Sequence, residues 1–456
     1  MSIAVVGGGV TGLAAAYRLV ALGREVVVYE AGPRVGGVVY TERRDGYLAE
    51  AGPNSLASPE PPVQSLLEDL GLAGRLVDAA PAARNRYLVR GGRLVRLPGS
   101  VRDLLGNEAL SLRARLALLR EPFVARGDPS VEESVGQFVT RRLGSEFLDY
   151  AAGPFVGGIY AGDPATLSVR HALPRLYALE QEHGSIIRGT IALVRRARAS
   201  APSAAPRSAR GAARVVSLAG GMGEIPLALA ARLGGSVCTL AGAEAIARRG
   251  SGWSVRVAGS EAQHDAVVLA CPAHVVASLQ VTGEGAAALA ELGGIPYAPV
   301  GVVVLGFRRG DVVHPLDGFG ALVPTVEERR ILGVLFSSTV FPGRAPDGHV
   351  TLTTFVGGTG RPELAALDPD RLVTLVREEL ADLLGVRGDP TFQQVVRWPR
   401  AIPQYVVGYG RWLDLMDHIE AANPGLFLAG SYRGGVALGD ALRGGLNVAA
   451  RVARMA

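Results

Sequence analysis

The chain has 456 residues, 48% of them apolar, with a mean hydropathy of +0.24, enough for two or three domains with large cores. No run of about 18 uncharged apolar residues marks a membrane span, and two cysteines, Cys238 and Cys271, are too few for a disulfide framework and lack metal spacing. The net charge is +5 and all 47 basic residues are arginine: ten fall with four acids in residues 83–128, and seven with none in 185–214. Two basic stretches on an otherwise acidic chain point to an anionic partner, whether a membrane surface, a carboxylate-bearing substrate or nucleic acid. No nucleic-acid motif supports the last.

The N-terminal residues read as a strand over 3–6, a turn of Gly7, Gly8, Gly9, Val10, Thr11 and Gly12, a helix over 13–22 and a second strand over 25–29. Gly7, Gly9 and Gly12 fit G-x-G-x-x-G between a strand and a helix, where a dinucleotide pyrophosphate approaches the backbone and the helix N-terminus faces its charge. Glu30, 18 residues beyond Gly12, stands where a carboxylate accepts ribose hydroxyls. The chain starts directly on this cofactor strand, so a cytoplasmic location is expected. Ala31-Gly32-Pro33-Arg34-Val35-Gly36-Gly37 adds R-x-G-G, a second glycine cluster that an NAD enzyme does not need.

Short strands follow at 38–41 and 47–49, then Gly52-Pro53-Asn54-Ser55 as a turn and a helix over 62–70. Residues 85–89 and 91–98 read as a hairpin, in which Arg86 alternates with apolar neighbours and would face inward, toward either an internal acid or a substrate carboxylate. From 101 to 198 the pattern is helical, with Leu104, Leu105, Leu110, Leu112, Leu116, Leu119 and Phe123 among Arg102, Arg113, Arg115 and Arg120. Residues 153–164 are expected to interrupt it as a loop, and 199–214 read as a flexible connector. Strands at 236–240, 243–247, 253–257 and 266–270 follow a helix over 225–233. The apolar run at 266–270 is that of a central parallel strand, so the cofactor domain resumes there. Strands at 299–307, 331–337 and 350–356 form a separate antiparallel sheet with a helix over 370–384. A buried strand over 425–430 ends on Gly430, residues 431–439 form a loop, and Asp440 opens a helix whose N-terminus could stabilise negative charge on a bound cofactor. His171, His183, His264 and His274 lack any partner spacing, so no catalytic side chain is assigned.

The R-x-G-G segment resembles the extended motif of FAD-dependent amine-oxidase-like flavoproteins. With Gly52-Pro53-Asn54, Asn85-Arg86-Tyr87, Tyr160-Ala161-Gly162-Asp163-Pro164, Gly318-Phe319-Gly320-Ala321-Leu322-Val323-Pro324, Ile402-Pro403-Gln404-Tyr405 and Gly435-Val436-Ala437-Leu438, the chain resembles the aerobic, FAD-containing protoporphyrinogen oxidases from end to end. The resemblance implies an α/β fold with three parts. A discontinuous Rossmann-like FAD domain would take residues 1–82, 205–280 and 395–456, and an α+β substrate domain on an antiparallel sheet would take 83–97 and 281–394. A helical membrane-binding domain would take 98–204.

The resemblance also implies roles. FAD, held non-covalently, would lie along the glycine turn, Glu30, Ala31, Arg34, Gly36, Gly37, Val38, Gly52, Pro53, Asn54, Ser55, Ala243, Trp398, Gly430, Val436, Ala437 and Leu438. Arg86 would pair with a porphyrinogen propionate, and Gly157, Phe319, Gly320, Leu322 and Phe355 would line the macrocycle. Catalysis would be orientation against the flavin, with molecular oxygen as acceptor and hydrogen peroxide as product. Peripheral contact with an anionic cell membrane, a homodimer and hand-off to ferrochelatase are implied as well. One departure is Gly439-Asp440 where Asn-Asp is usual, which touches a polar contact near the ring. Rival readings are a coproporphyrinogen oxidase, an amine oxidase and a non-enzymatic prenyl-protein carrier. The first should need more basic groups than Ser55-Leu56-Ala57-Ser58-Pro59-Glu60 supplies. The second often carries flavin on a cysteine near the C-terminus, and the last here is Cys271. The intact cofactor motifs speak against the third.

Overall fold

The computed structural model describes residues 1–98, 111–200 and 214–455, without the side chains of 197–200. The expected helical residues Leu104, Leu105 and Leu110 and almost all of the 199–214 connector lie outside the described residues.

Five parallel strands form the first layer, in the order Val237–Cys238, Glu25–Tyr29, Ser2–Val6, Ala266–Leu269, Leu426–Leu428. Ile3, Val5, Val26, Val28, Val268 and Leu428 are buried, which is why these segments read as unbroken apolar runs. The helix Val10–Ala21 packs on one face and is met by the C-terminal helix Leu438–Ala453. A Cβ on Gly445 would run into the Thr11 carbonyl, so only glycine lets the two axes come this close. Both helices start earlier than the sequence pattern indicates, at Val10 and Leu438, because each first turn is polar or glycine-bearing and hides the apolar period.

A mixed four-stranded sheet, Ser260–His264, Gly252–Val257, Ala243–Arg249, Gln280–Thr282, lies beside this layer. The second large sheet has seven strands: Phe392–Pro403, Tyr297–Arg308, His349–Gly357, Gly333–Leu335, Gly320–Leu322, Tyr87–Arg90, Arg93–Arg96. It is mixed rather than antiparallel, because Ala321 and Leu322 pair in parallel with Tyr87 and Leu88. The long edge strand Phe392–Pro403 is absent from the sequence reading; its half-exposed alternation and two prolines mask it.

The helical part contains Leu112–Arg120, Val135–Leu143, Gly153–Tyr160, Pro174–His183 and Ile186–Ser200. The expected loop over 153–164 is therefore half helix. The helix continues directly from a π-helical stretch over Leu148–Ala152, the irregularity at which a continuous helical run admits Pro154, and Ala161 ends it in the left-handed region at φ 47°. Among the described residues no helix is long and apolar enough to cross a membrane.

Candidate active site

The glycine turn is shaped by contacts that exclude side chains. Gly7 sits at φ 110°, and a Cβ there would lie 2.9 Å from the Cys271 nitrogen. A Cβ on Gly12 would collide with the Gly7 carbonyl. Gly9 differs: among the described residues nothing lies within 4 Å of a Cβ placed there, so its missing side chain leaves open space. Gly9 also caps the Val10–Ala21 helix with no side-chain bond, and no acid stands in the first turn. The N-terminal amides are thus free for an anion from outside.

Glu30 Oε2 accepts from Gly8 N–H and Oε1 from Gly32 N–H, both at 2.7 Å, which fixes the carboxylate at the strand end. Beside it, Ala241 N–H donates to the Glu30 carbonyl at 2.8 Å and Leu240 N–H to that of Gly32 at 3.0 Å, bringing the start of the Ala243 strand to this end. Gly36 N–H donates to the Gly8 carbonyl at 2.8 Å, so the R-x-G-G loop is bonded to the glycine turn. Arg34 Nη1 closes that loop on the Gly37 carbonyl at 2.9 Å and covers the Tyr40 ring at 4.7 Å. Ala31, Val38, Tyr40 and Ala437 stay exposed around this groove, an apolar rim that a flat cofactor would cover. An open Gly9, uncapped amides, a ribose-height carboxylate and this rim fit a dinucleotide.

Asn54 Nδ2 bonds the Gly52 carbonyl at 3.0 Å behind Pro53, and Trp398 Nε1 bonds the Ala51 carbonyl at 2.7 Å. The C-terminal segment meets this loop: a Cβ on Gly439 would lie 3.3 Å from Leu56, and Gly435 N–H donates to the Tyr405 hydroxyl at 2.9 Å after Gly430 and the short Ser431–Gly434 helix. The chain thus passes from Gly435 at Tyr405 through Val436, Ala437 and Leu438 to Gly439 at Leu56, one residue beyond Ser55.

Asn54 and Ser55 also line a small crevice with Glu50 of the Thr41–Arg44/Tyr47–Glu50 hairpin, with Leu335 and Thr353 of the seven-stranded sheet, and with Phe319, Ser337 and Arg344 from the segments between its strands. Glu50 and Arg344, both buried, are a pair the sequence reading missed, since nothing in one sequence links positions so far apart. Their closest approach is 3.6 Å. Burial pushes the Glu50 carboxyl above its ordinary range, against bonds from Thr41 and Met222 N–H and the pull of Arg344. Burial likewise lowers the Arg344 guanidinium, which donates to Ser217 Oγ at 2.6 Å.

Above the crevice the Arg86 guanidinium covers the Phe319 ring at 4.9 Å. Arg86 is exposed, not turned inward as its alternation indicates, because the strand begins only at Tyr87. Gly320, at φ 149°, allows Val334 to approach, and a Cβ on Gly158 would lie 3.0 Å from Leu322, so the Gly153–Tyr160 helix stands over that strand. Gly157 faces open space, and Phe355 is half-buried on the next strand but one. Burial, then a bond to Asp317, pushes the Tyr87 phenol up to about 12. His264 bonds Ser2 Oγ and the Tyr29 hydroxyl, each at 3.0 Å, and burial lowers His171, His264 and His274.

Residues 10–453 match the family described as flavin containing amine oxidoreductase. The chain is similar to protoporphyrinogen oxidase 2, chloroplastic/mitochondrial, of Arabidopsis thaliana, with 36% identity over 98% of this chain and 92% of that protein. It is similar also to coproporphyrinogen III oxidase of Bacillus subtilis (strain 168), with 27% identity over 96% and 95% of the two chains. A crystal structure of an Exiguobacterium sp. 255-15 protein superposes with a TM-score of 0.83 at 24% identity, covering 100% of this chain and 99% of that one, which concerns the fold alone.

Proposed function

The chain belongs to the flavin containing amine oxidoreductase family, and on that premise we propose that it oxidises protoporphyrinogen IX to protoporphyrin IX with FAD and oxygen. The observation that carries this is one crevice lined by Asn54 and Ser55 of the cofactor groove and Phe319 of the loop that enters the Gly320–Leu322 strand, with Arg86 over Phe319. Bound FAD would accept two electrons at a time, so removal of six hydrogens takes three rounds with peroxide released in each. The glycine turn, Glu30 and the 34–38 loop would hold the dinucleotide. Arg86 would fix a propionate, while Phe319, Gly320, Leu322, Phe355 and Gly157 would set the plane of the macrocycle and exclude water. No side chain is asked to act as acid or base.

Coproporphyrinogen is the second reading, favoured only by the Bacillus relative. The loop 55–60 offers no cation to its two extra propionates. Turnover of both porphyrinogens by flavin-loaded protein in air, followed by porphyrin fluorescence and peroxide, tests the choice. Protoporphyrinogen should be preferred with about three peroxides per porphyrin, and Arg86→Ala should raise its KM about tenfold with flavin retained. No turnover of protoporphyrinogen would end the reading.

The three-part division is likewise proposed, with the FAD part resuming at 404 rather than 395, since Phe392–Pro403 runs in the seven-stranded sheet. We propose a peripheral membrane face on the helical part. Leu112, Leu119 and Phe123 are 70%, 71% and 82% exposed beside Arg113 and Arg120. Flotation with anionic vesicles at low salt is expected, and none at any salt would remove the idea. A homodimer and hand-off to ferrochelatase rest on resemblance alone; a monomer that ignores ferrochelatase in sedimentation would end both.

A further inference from the structure

The segment that carries Arg86, just before the Tyr87–Arg90 strand, and the loop that carries Phe319 come from distant parts of the chain, and one side chain ties them. Asp317 Oδ1 accepts from the Tyr87 hydroxyl at 2.6 Å across 230 residues of sequence. Asn85 Nδ2 donates to the Asp317 carbonyl at 2.7 Å and stands 3.4 Å from Oδ2. The backbone repeats the link, with Phe319 N–H donating to the Asn85 carbonyl at 2.8 Å. There is no slack between the segments, since a Cβ on Gly318 would lie 2.7 Å from the Tyr87 ring. His314 packs edge-on against the other side of that ring at 5.1 Å. Asn85 and Tyr87 flank Arg86, and Asp317 precedes Phe319 by two. Among the described residues no carboxylate pairs with the Arg86 guanidinium, so its charge is available.

We propose that Asp317 is a positioning residue for substrate: it clasps the Asn85–Tyr87 segment to the Phe319 loop, so that one cation and one aromatic face meet the same carboxylate-bearing macrocycle. This rests on the function proposed above. The Arg86 side chain is long and costly to order, and fixing its base beside the Phe319 ring removes part of that cost before binding. Asp317 touches neither substrate nor cofactor, and its effect should pass through Arg86.

The test is Asp317→Ala in the wild-type and Arg86→Ala backgrounds of the FAD-loaded protein. The readouts are KM, kcat and the Kd for protoporphyrin IX by fluorescence. In the wild-type background, KM and Kd should rise about five- to tenfold, with kcat within about twofold. In the Arg86→Ala background the same change should shift them less than about twofold. Asp317→Asn, which keeps the acceptor for the Tyr87 hydroxyl, should recover most of the loss. If Asp317→Ala does not fold with flavin, Tyr87→Phe removes only the hydroxyl and should show the same coupling. Equal effects in both backgrounds would overturn the clasp and leave the propionate reading intact. Unchanged KM and Kd in Arg86→Ala alone would bring down that reading, and the clasp with it.

Discussion

Two buried carboxylates, one in the helical part and one in the crevice between the sheets, have opposite fates. Glu180 is fully buried, and burial alone would raise its pKa. Hydrogen bonds from Arg141 at 2.9 Å and Arg142 at 2.7 Å outweigh that and hold it below the usual range. Glu50 has more protein packed around it, and Arg344 stands off at 3.6 Å and spends its bonds on Ser217 and the Leu218 carbonyl, so burial prevails and the pKa rises. Heavier burial and the lack of direct charge-assisted bonds from an arginine together set the sign at Glu50. The helical part thus holds a committed ion cluster, with Arg142 also on Glu121 at 2.9 Å. The crevice holds a carboxylate that is weakly compensated.

The largest test of that contrast is Arg142→Met. It leaves buried Glu121 and Glu180 short of a partner and should cost about 3–5 kcal/mol in urea unfolding. A cost near zero would mean that water reaches the cluster. Acidity should act in the same place. A lowered folded pKa gives stability that is present above the ordinary carboxylate pKa and lost as pH falls through the lowered value, so Glu180 favours neutral pH. Glu50 has the reverse sign: its contribution is greatest below the ordinary pKa and fades as pH rises through the raised one. Glu50→Gln should therefore change stability by less than about 1.5 kcal/mol at pH 7. The excess of wild type over this variant should shrink as pH rises from about 4.5. If that excess grew with pH, the two carboxylates would share one sign and the contrast would be wrong.

What could be read beforehand divides along similar lines. The first forty residues were legible because strand, turn and helix are local, and each glycine meets its constraint within one βαβ unit. The returns at Ala266–Leu269 and Leu426–Leu428 were legible because strands buried on both faces are apolar throughout. Ser260–His264 and Phe392–Pro403 were not, since an exposed or half-exposed strand carries polar residues and no clear period. The Gly153–Tyr160 helix was hidden by its own Gly, Pro and Gly-Gly. Among the named groove residues, motif and geometry run together at Gly9, Glu30 and Gly36. The exposure of Arg86, the Glu50–Arg344 pair and the Asp317 clasp needed coordinates, because each depends on segments joined only by the fold.

The Gly153–Tyr160 helix is where the helical part meets the Gly320–Leu322 strand, and Gly157 offers the smallest and most selective test. Among the described residues a methyl there meets no atom within 4 Å. As a helix-interior replacement of glycine by alanine, Gly157→Ala should stabilise the protein by about 0.5–1 kcal/mol. The same methyl would project where the macrocycle is proposed to lie, so protoporphyrin Kd should rise about threefold. Gly158→Ala is the comparison, because its Cβ would meet only the flexible end of Leu322, at 3.0 Å, which can turn aside. Higher stability with weaker porphyrin binding would place this helix as a wall of the site whose glycine trades firmness for room. Higher stability with unchanged porphyrin affinity in Gly157→Ala would confine the substrate to the second sheet and leave the helical part a scaffold only.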